Sequence, residues 1–325
     1  MRIKKPIASV IASLAVSSVT VVVFAASVSP IAGEAPSLLP DGREFKLVWN
    51  DEFNGTSLDE SKWSYRTNFW GRRFAAFAAP DQGAVEVKDG KVHLKLIKLP
   101  NGEFAAPQLQ TGGLMWDIPQ LNPTNAFWYL PKREKPKFEK CYGYFECRCR
   151  LQQKPGWWCA FWMQTEIQGT CLDPARAGIE HDIMESFEPG VVIPAAFHMN
   201  GYGADYVGFH CPRYSGKGTF LAQTEEVSAK VDKTVYHTFG MLWEPDGYTL
   251  YIDGVQRGEK VGRGKNHKGL DEAVSQVPEF ILITTEPKLY RANRMTGRGV
   301  PELQDAWKAG DEFIVDYVRV YDVVN

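Results

Sequence analysis

From Phe45 onward, hydrophobic and polar positions alternate in short runs broken by Gly, Pro, Asn and Asp. Residues 91–96 (KVHLKL) alternate after an Asp89-Gly90 turn, and residues 144–151 (YFECRCRL) alternate cleanly. Residues 237–243, a Pro245-Asp246-Gly247 turn and residues 248–252 read as a hairpin, with a further turn at Asp253-Gly254. Residues 280–285 and 313–321 (FIVDYVRVY) add strands rich in β-branched and aromatic side chains. No stretch has the 3.6-residue period of a long amphipathic helix. Many short strands with turn signals predict an all-β β-sandwich. There is no internal repeat, so residues 43–325 are expected to form one domain. Residues 115–140, 201–232, 255–278 and 286–311 are expected as long loops, the usual carriers of function.

The N-terminus reads as an address. Arg2, Lys4 and Lys5 precede an apolar stretch from Ile7 to Phe24, and Val23-Phe24-Ala25 fits a small-residue cleavage pattern. Residues 1–26 are expected to be a signal peptide and 27–42 a short leader, with an uncleaved anchor as the rival. A secreted, periplasmic or extracellular monomer follows, with no membrane association after signal removal. The formal net charge of −2 and the lack of a basic stripe argue against nucleic acid. Six cysteines remain, and an exported chain permits disulfides. Cys147-x-Cys149 is too tight for ordinary zinc ligation.

Candidate chemistry concentrates in residues 178–187 (GIEHDIMESF), where three acids interrupt an apolar strand. Alternation puts Glu180 and Asp182 on one face and leaves Glu185 with the wrong parity. A β-bulge between Asp182 and Glu185 corrects it, and bulges are frequent beside active sites. With the bulge, Glu180 and Glu185 are about four strand steps apart, roughly 13 Å between Cα atoms. Inward-leaning side chains then leave about 5 Å between carboxyl groups, the spacing of retaining rather than inverting glycosidases. Crowding three acids is expected to raise the pKa of at least one. A calcium site or a solvated sheet face are the alternatives that spacing leaves open.

Sequence order adds a family resemblance. The E-x-D-x-x-E segment resembles the signature of glycoside hydrolase family 16. Trp49-Asn50-Asp51-Glu52-Phe53, Thr111-Gly112-Gly113-Leu114, residues 142–151, residues 156–163 (GWWCAFWM), the later hairpin and residues 316–321 (DYVRVY) are similar, in order, to the family's other motifs. The resemblance implies a concanavalin-like jelly roll of two curved antiparallel sheets with a concave substrate cleft. It further implies endo-acting hydrolysis of a β-linked polysaccharide by double displacement, with Glu180 as nucleophile, Asp182 assisting it and Glu185 as acid/base. A carbohydrate-binding protein without catalysis, or a transglycosylase on the same fold, are the alternatives. No cofactor is required, and a structural calcium on the convex face is allowed, with no ligands assigned.

The same resemblance marks substrate contacts. Trp158 matches the family Trp that stacks near the scissile sugar, and Trp162 is expected in the core. Asn68, Trp70 and Arg72 lie in an early loop that borders the family's cleft, and His198 is expected on the strand beside the acids. Residues 280–286 (FILITTE) replace the N-L-A-V-G-G of the family's β-1,3-glucanases. The Thr285-Glu286 ending is closer to agarase and galactanase branches, making a galactan as well supported as a β-glucan. His181 stands where the family has an aliphatic residue and is expected as a satisfied core histidine. Cys147 and Cys149 stand at small core positions. Cys171 and Cys211, in loops flanking the acidic strand and the next one, are the expected disulfide.

Overall fold

The computed structural model describes residues 35–69, 72–113, 135–165, 167, 174–193, 196–199, 229–262, 264–265, 271–272, 274–288 and 300–324. Two antiparallel eight-stranded sheets stack face to face. The outer sheet runs, in spatial order, Val255–Gly262, Gly247–Ile252, His237–Glu244, Gly143–Arg150, Glu312–Val324, Lys91–Lys95 and Val85–Lys88, with Glu44–Asp51 also paired to Glu312–Val324. The acid-bearing sheet runs Ala229–Lys230, Val191–Ile193, Ile179–Glu188, Trp157–Gln164, Phe280–Pro287, Gln108–Gln110 and Ser64–Tyr65, with Ala196–Met199 beside Ile179–Glu188. This is the β-sandwich that the alternation predicts, in the jelly-roll form that the resemblance implies.

Local chemistry explains the strand ends. Asp89-Gly90 and Asp253-Gly254 both have positive φ at each residue (51° and 67°, 52° and 75°), the two-residue geometry that suits strand twist. The expected loop at 255–278 is partly wrong. Val255–Gly262 continues the hairpin as an edge strand, because the Asp253-Gly254 turn returns the chain into register with Gly247–Ile252. Within 286–311 a helix, Pro301–Lys308, buries Leu303 and Ala306.

The core lies between the sheets. Phe145, Cys147 and Cys149 face Trp157, Cys159, Phe161 and Met163, all fully buried, together with Ile281, Ile283, Val318 and Val320. Among the described residues Cys141, Cys147, Cys149 and Cys159 are free thiols. Cys171 and Cys211, and the signal segment, lie outside the described residues.

The segment read as a leader has a structural part. Ser37 and Leu39 are buried against the outer sheet. The Ser37 and Tyr321 hydroxyls are 2.5 Å apart, the Leu38 N–H donates to Glu146 at 2.7 Å, and the Tyr317 hydroxyl donates to the Pro36 carbonyl at 3.1 Å. Arg319, fully buried, donates twice to Glu52 (2.8 and 2.7 Å) and once each to Ser37 and the Ala35 carbonyl (2.9 Å each).

Glu146 lies under this strap, and burial pushes its carboxyl up to about 7, against the opposing pull of Ser37, the Leu38 N–H and Arg319. Its folded pKa exceeds the ordinary 4.5, so the folded state holds the proton more tightly. Stability is therefore fully present below pH 4.5 and falls as pH rises toward 7. The cost of ionisation above that range is roughly 3 kcal/mol. Glu146→Gln is expected to unfold at higher temperature than the parent at pH 8 and to lose that advantage at pH 4. Thermal unfolding across pH checks this, and a constant difference would refute it.

Candidate active site

The acidic strand is positioned by its partner, Trp157–Gln164. Their register pairs Ala160 with Glu185, Phe161 with Met184, Trp162 with Asp182 and Met163 with His181. Ile183 is thus the extra residue of a bulge. The three steps from Asp182 to Glu185 oppose only two steps, Trp162 to Ala160, on the partner. The parity change required by the sequence is supplied at the expected place.

The consequence is a sorting of side chains. Ile179, His181, Ile183 and Met184 point to the core and are buried. Glu180 (5% exposed), Asp182 (3%) and the half-buried Glu185 share the opposite face. Gly178 opens the strand with φ of +73°, and a Cβ there would fall 2.1 Å from Thr165, so only glycine fits that entry. Glu180 pairs across the strands with His198, and Asp182 with Ala196, which puts His198 on the neighbouring strand as predicted.

The floor beside the acids comes from the next two strands. Trp158 lies opposite Glu286, Ala160 opposite Thr284 and Trp162 opposite Leu282. Beyond these, Thr284 pairs with Gln108 and Leu282 with Gln110. The Gln108 amide donates to Glu286 at 2.8 Å, fixing that carboxylate in the floor. Trp162 is buried, as expected, but in a cluster with Ala160, Phe280 and Leu282 apart from the main core. Even-numbered residues of Trp157–Gln164 face the acids, so Trp162 lies on their side and Trp157 in the core. The Trp162 indole N–H donates to Thr284 at 2.9 Å, and Arg66 lies 5.1 Å from its ring centroid. Trp157 donates instead to Asp311 at 2.9 Å. Trp158 packs against Phe187 at 5.3 Å.

Asn68 and Arg72 belong to a short hairpin in which Asn68 pairs with Arg73 and Phe69 with Arg72. Trp70 lies outside the described residues. Gln108, Gln110, Thr284 and Arg66 went unnoticed in the sequence. The alternation in Gln108-Leu109-Gln110, polar on both sides of a core leucine, was the signal available. Among the described residues no three His, Cys, Asp or Glu side chains gather as a metal site would require.

Residues 84–276 match the family model described as glycosyl hydrolases family 16. The chain belongs to that family. Relatives include a glucan endo-1,3-beta-glucosidase A1 of Niallia circulans, 29% identical over 229 residues, covering 64% of this chain and 28% of the relative. A glucan endo-1,3-beta-glucosidase of Cryptopygus antarcticus is 25% identical over 211 residues, covering 64% of this chain and 66% of its own. The chain thus spans little more than a quarter of the first and just under two thirds of the second. In structure it resembles SCLam, a non-specific endo-beta-1,3(4)-glucanase, with a TM-score of 0.58 at 21% identity, over 92% of this chain and 96% of that one. That likeness shows the fold.

Proposed function

We propose that this family 16 chain is an exported, endo-acting retaining β-glycosidase whose substrate is a β-glucan. The observation that carries the reading is the bulge at Ile183, which brings Glu180, Asp182 and Glu185 onto one face. In the first step Glu185 gives its proton to the glycosidic oxygen as the Glu180 carboxylate attacks the anomeric carbon. The C–O bond to the leaving sugar breaks and a glycosyl ester forms on Glu180. In the second step Glu185 takes a proton from water, the water oxygen attacks the same carbon, and Glu180 leaves as a carboxylate. The more exposed Glu185 suits a group that meets the leaving sugar and then water, and the more buried Glu180 suits a nucleophile shielded from solvent. Asp182, two residues from Glu180 on the same face, sits beside the place where positive charge develops at the sugar ring.

The choice of β-glucan rests on the two curated relatives, both named as glucan endo-1,3-beta-glucosidases. Export rests on the N-terminal segment alone. Reducing-end release should occur from laminarin and mixed-linkage glucan and not from agarose, porphyran, carrageenan or mucin glycans, with the β-anomer appearing first by NMR. An α-anomer at the first time points would overturn retention. Release from a galactan alone would overturn the substrate and favour the branch suggested by Thr285-Glu286.

The Gln108–Glu286 pair is expected to accept a sugar hydroxyl. Glu286→Leu should raise KM about tenfold with kcat little changed, the loss of one hydrogen bond to a charged acceptor. Initial rates over a range of laminarin concentrations measure it, and an unaltered KM would remove Glu286 from the binding floor.

A further inference from the structure

Directly behind Glu180, on the core side of the acidic strand, are two ionisable side chains that the reaction above does not use. His181 and Glu279 are both fully buried, with His181 Nδ1 2.5 Å from Glu279 Oε2. The other oxygen, Oε1, accepts the Ile179 N–H at 3.3 Å. One carboxylate therefore grips residues 179 and 181, the two that flank Glu180. Glu279 is itself fixed, because its backbone exchanges N–H and carbonyl hydrogen bonds with Lys140, each 3.0 Å. The His181 ring is held between Tyr248 at 4.5 Å and Trp243 at 5.2 Å.

Burial of such a pair is costly. Replacing it with apolar side chains of similar volume is commonly neutral or stabilising, so stability alone does not account for it. The arrangement instead controls geometry. The backbone of Glu180 is attached at both neighbours to a carboxylate anchored outside the acidic strand. We propose that Glu279, acting through Ile179 and His181, is a positioning residue that fixes Glu180 for attack on the anomeric carbon. The proposal rests on the reading of Glu180 as nucleophile. Near-attack geometry is sensitive, and a displacement of about 1 Å can cost about 100-fold in rate.

The test uses a 2-deoxy-2-fluoro-β-laminaribiosyl fluoride, which esterifies a retaining nucleophile without needing strong acid assistance. Its rate of attachment reports on nucleophile placement. In the His181→Leu/Glu279→Leu double variant, melting should stay within a few degrees of the parent and KM for laminarin within about twofold. Attachment to Glu180 and kcat should both fall about 10- to 100-fold. Glu279→Gln is isosteric and keeps an acceptor for the Ile179 N–H, so it should attach the probe within about threefold of the parent. A double variant that folds and attaches at the parental rate overturns the brace. So does a tenfold loss in Glu279→Gln, which would assign the effect to charge and not to grip. Peptide mapping separates the two readings. If the parent protein carries no label on Glu180, the nucleophile assignment fails and the brace fails with it.

Discussion

Glu180→Ala is expected to lower reducing-end release from laminarin on the order of 10⁴-fold or more, since no ester can form without the nucleophile. Azide should restore turnover of an aryl β-glucoside with a good leaving group, by entering the space the carboxylate vacates. The product is then the α-azide, because a single displacement inverts the anomeric carbon. Glu185→Ala behaves differently. Its loss on laminarin should be about 10²- to 10⁴-fold, the range for one general acid, and much smaller on an aryl glycoside that needs no protonation. Azide should then give the β-azide, by attack on the ester still formed at Glu180. The two azide products, distinguished by NMR, assign the two glutamates independently. The same anomer from both variants would sink the assignment. With melting temperatures unchanged, near-parental activity in either variant would do so as well.

The second large effect falls on stability. Arg319 donates to Glu52, Ser37 and the Ala35 carbonyl while its side chain is fully buried. Arg319→Met removes every one of these donors and leaves the Glu52 carboxylate, only 10% exposed, without its cation. Breaking a buried pair on one side costs about 3–5 kcal/mol. For a domain of this size that lowers Tm by roughly 10 °C. The double change Arg319→Met/Glu52→Leu should recover most of the loss, because no lone charge remains. Calorimetry of the three proteins decides, and equal Tm for the single and double variants would show that the lost strap contacts, not the stranded carboxylate, dominate.

Much of this fold is legible because strand periodicity is a local property. Alternation in residues 144–151 and the two Asp-Gly turns needed only their own neighbours to be read, and both hairpins formed. The bulge was legible for a different reason: three acids whose parity disagrees demand an extra residue somewhere between 182 and 185. What stayed hidden depends on partners far away in the chain. Trp162 reads as core and is buried, but its own run is apolar on both faces, and only its opposition to Asp182 and Leu282 tells which face it packs on. Gln108 acquires meaning only when Glu286, 178 positions later, is brought alongside. The strap at residues 35–39 has leader-like composition, and the buried arginine that holds it lies at the other end of the sequence. His181 reads as a core histidine and is buried there, but the carboxyl that meets its Nδ1, that of Glu279, is 98 positions away.

Ile183 is counted by the chain but not by its neighbour, so this site depends on arithmetic as much as on chemistry. Deleting that one aliphatic residue would mend the ladder and leave all three acids on one face, whereas deleting Met184 as well would turn Glu185 inward among hydrophobic side chains while Glu180 and Asp182 kept their outlook. The sandwich could survive such an edit with every acid still present in the text of the protein. Inactive descendants of this fold can therefore arise without losing a single acidic letter, and are to be sought by measuring the interval between them.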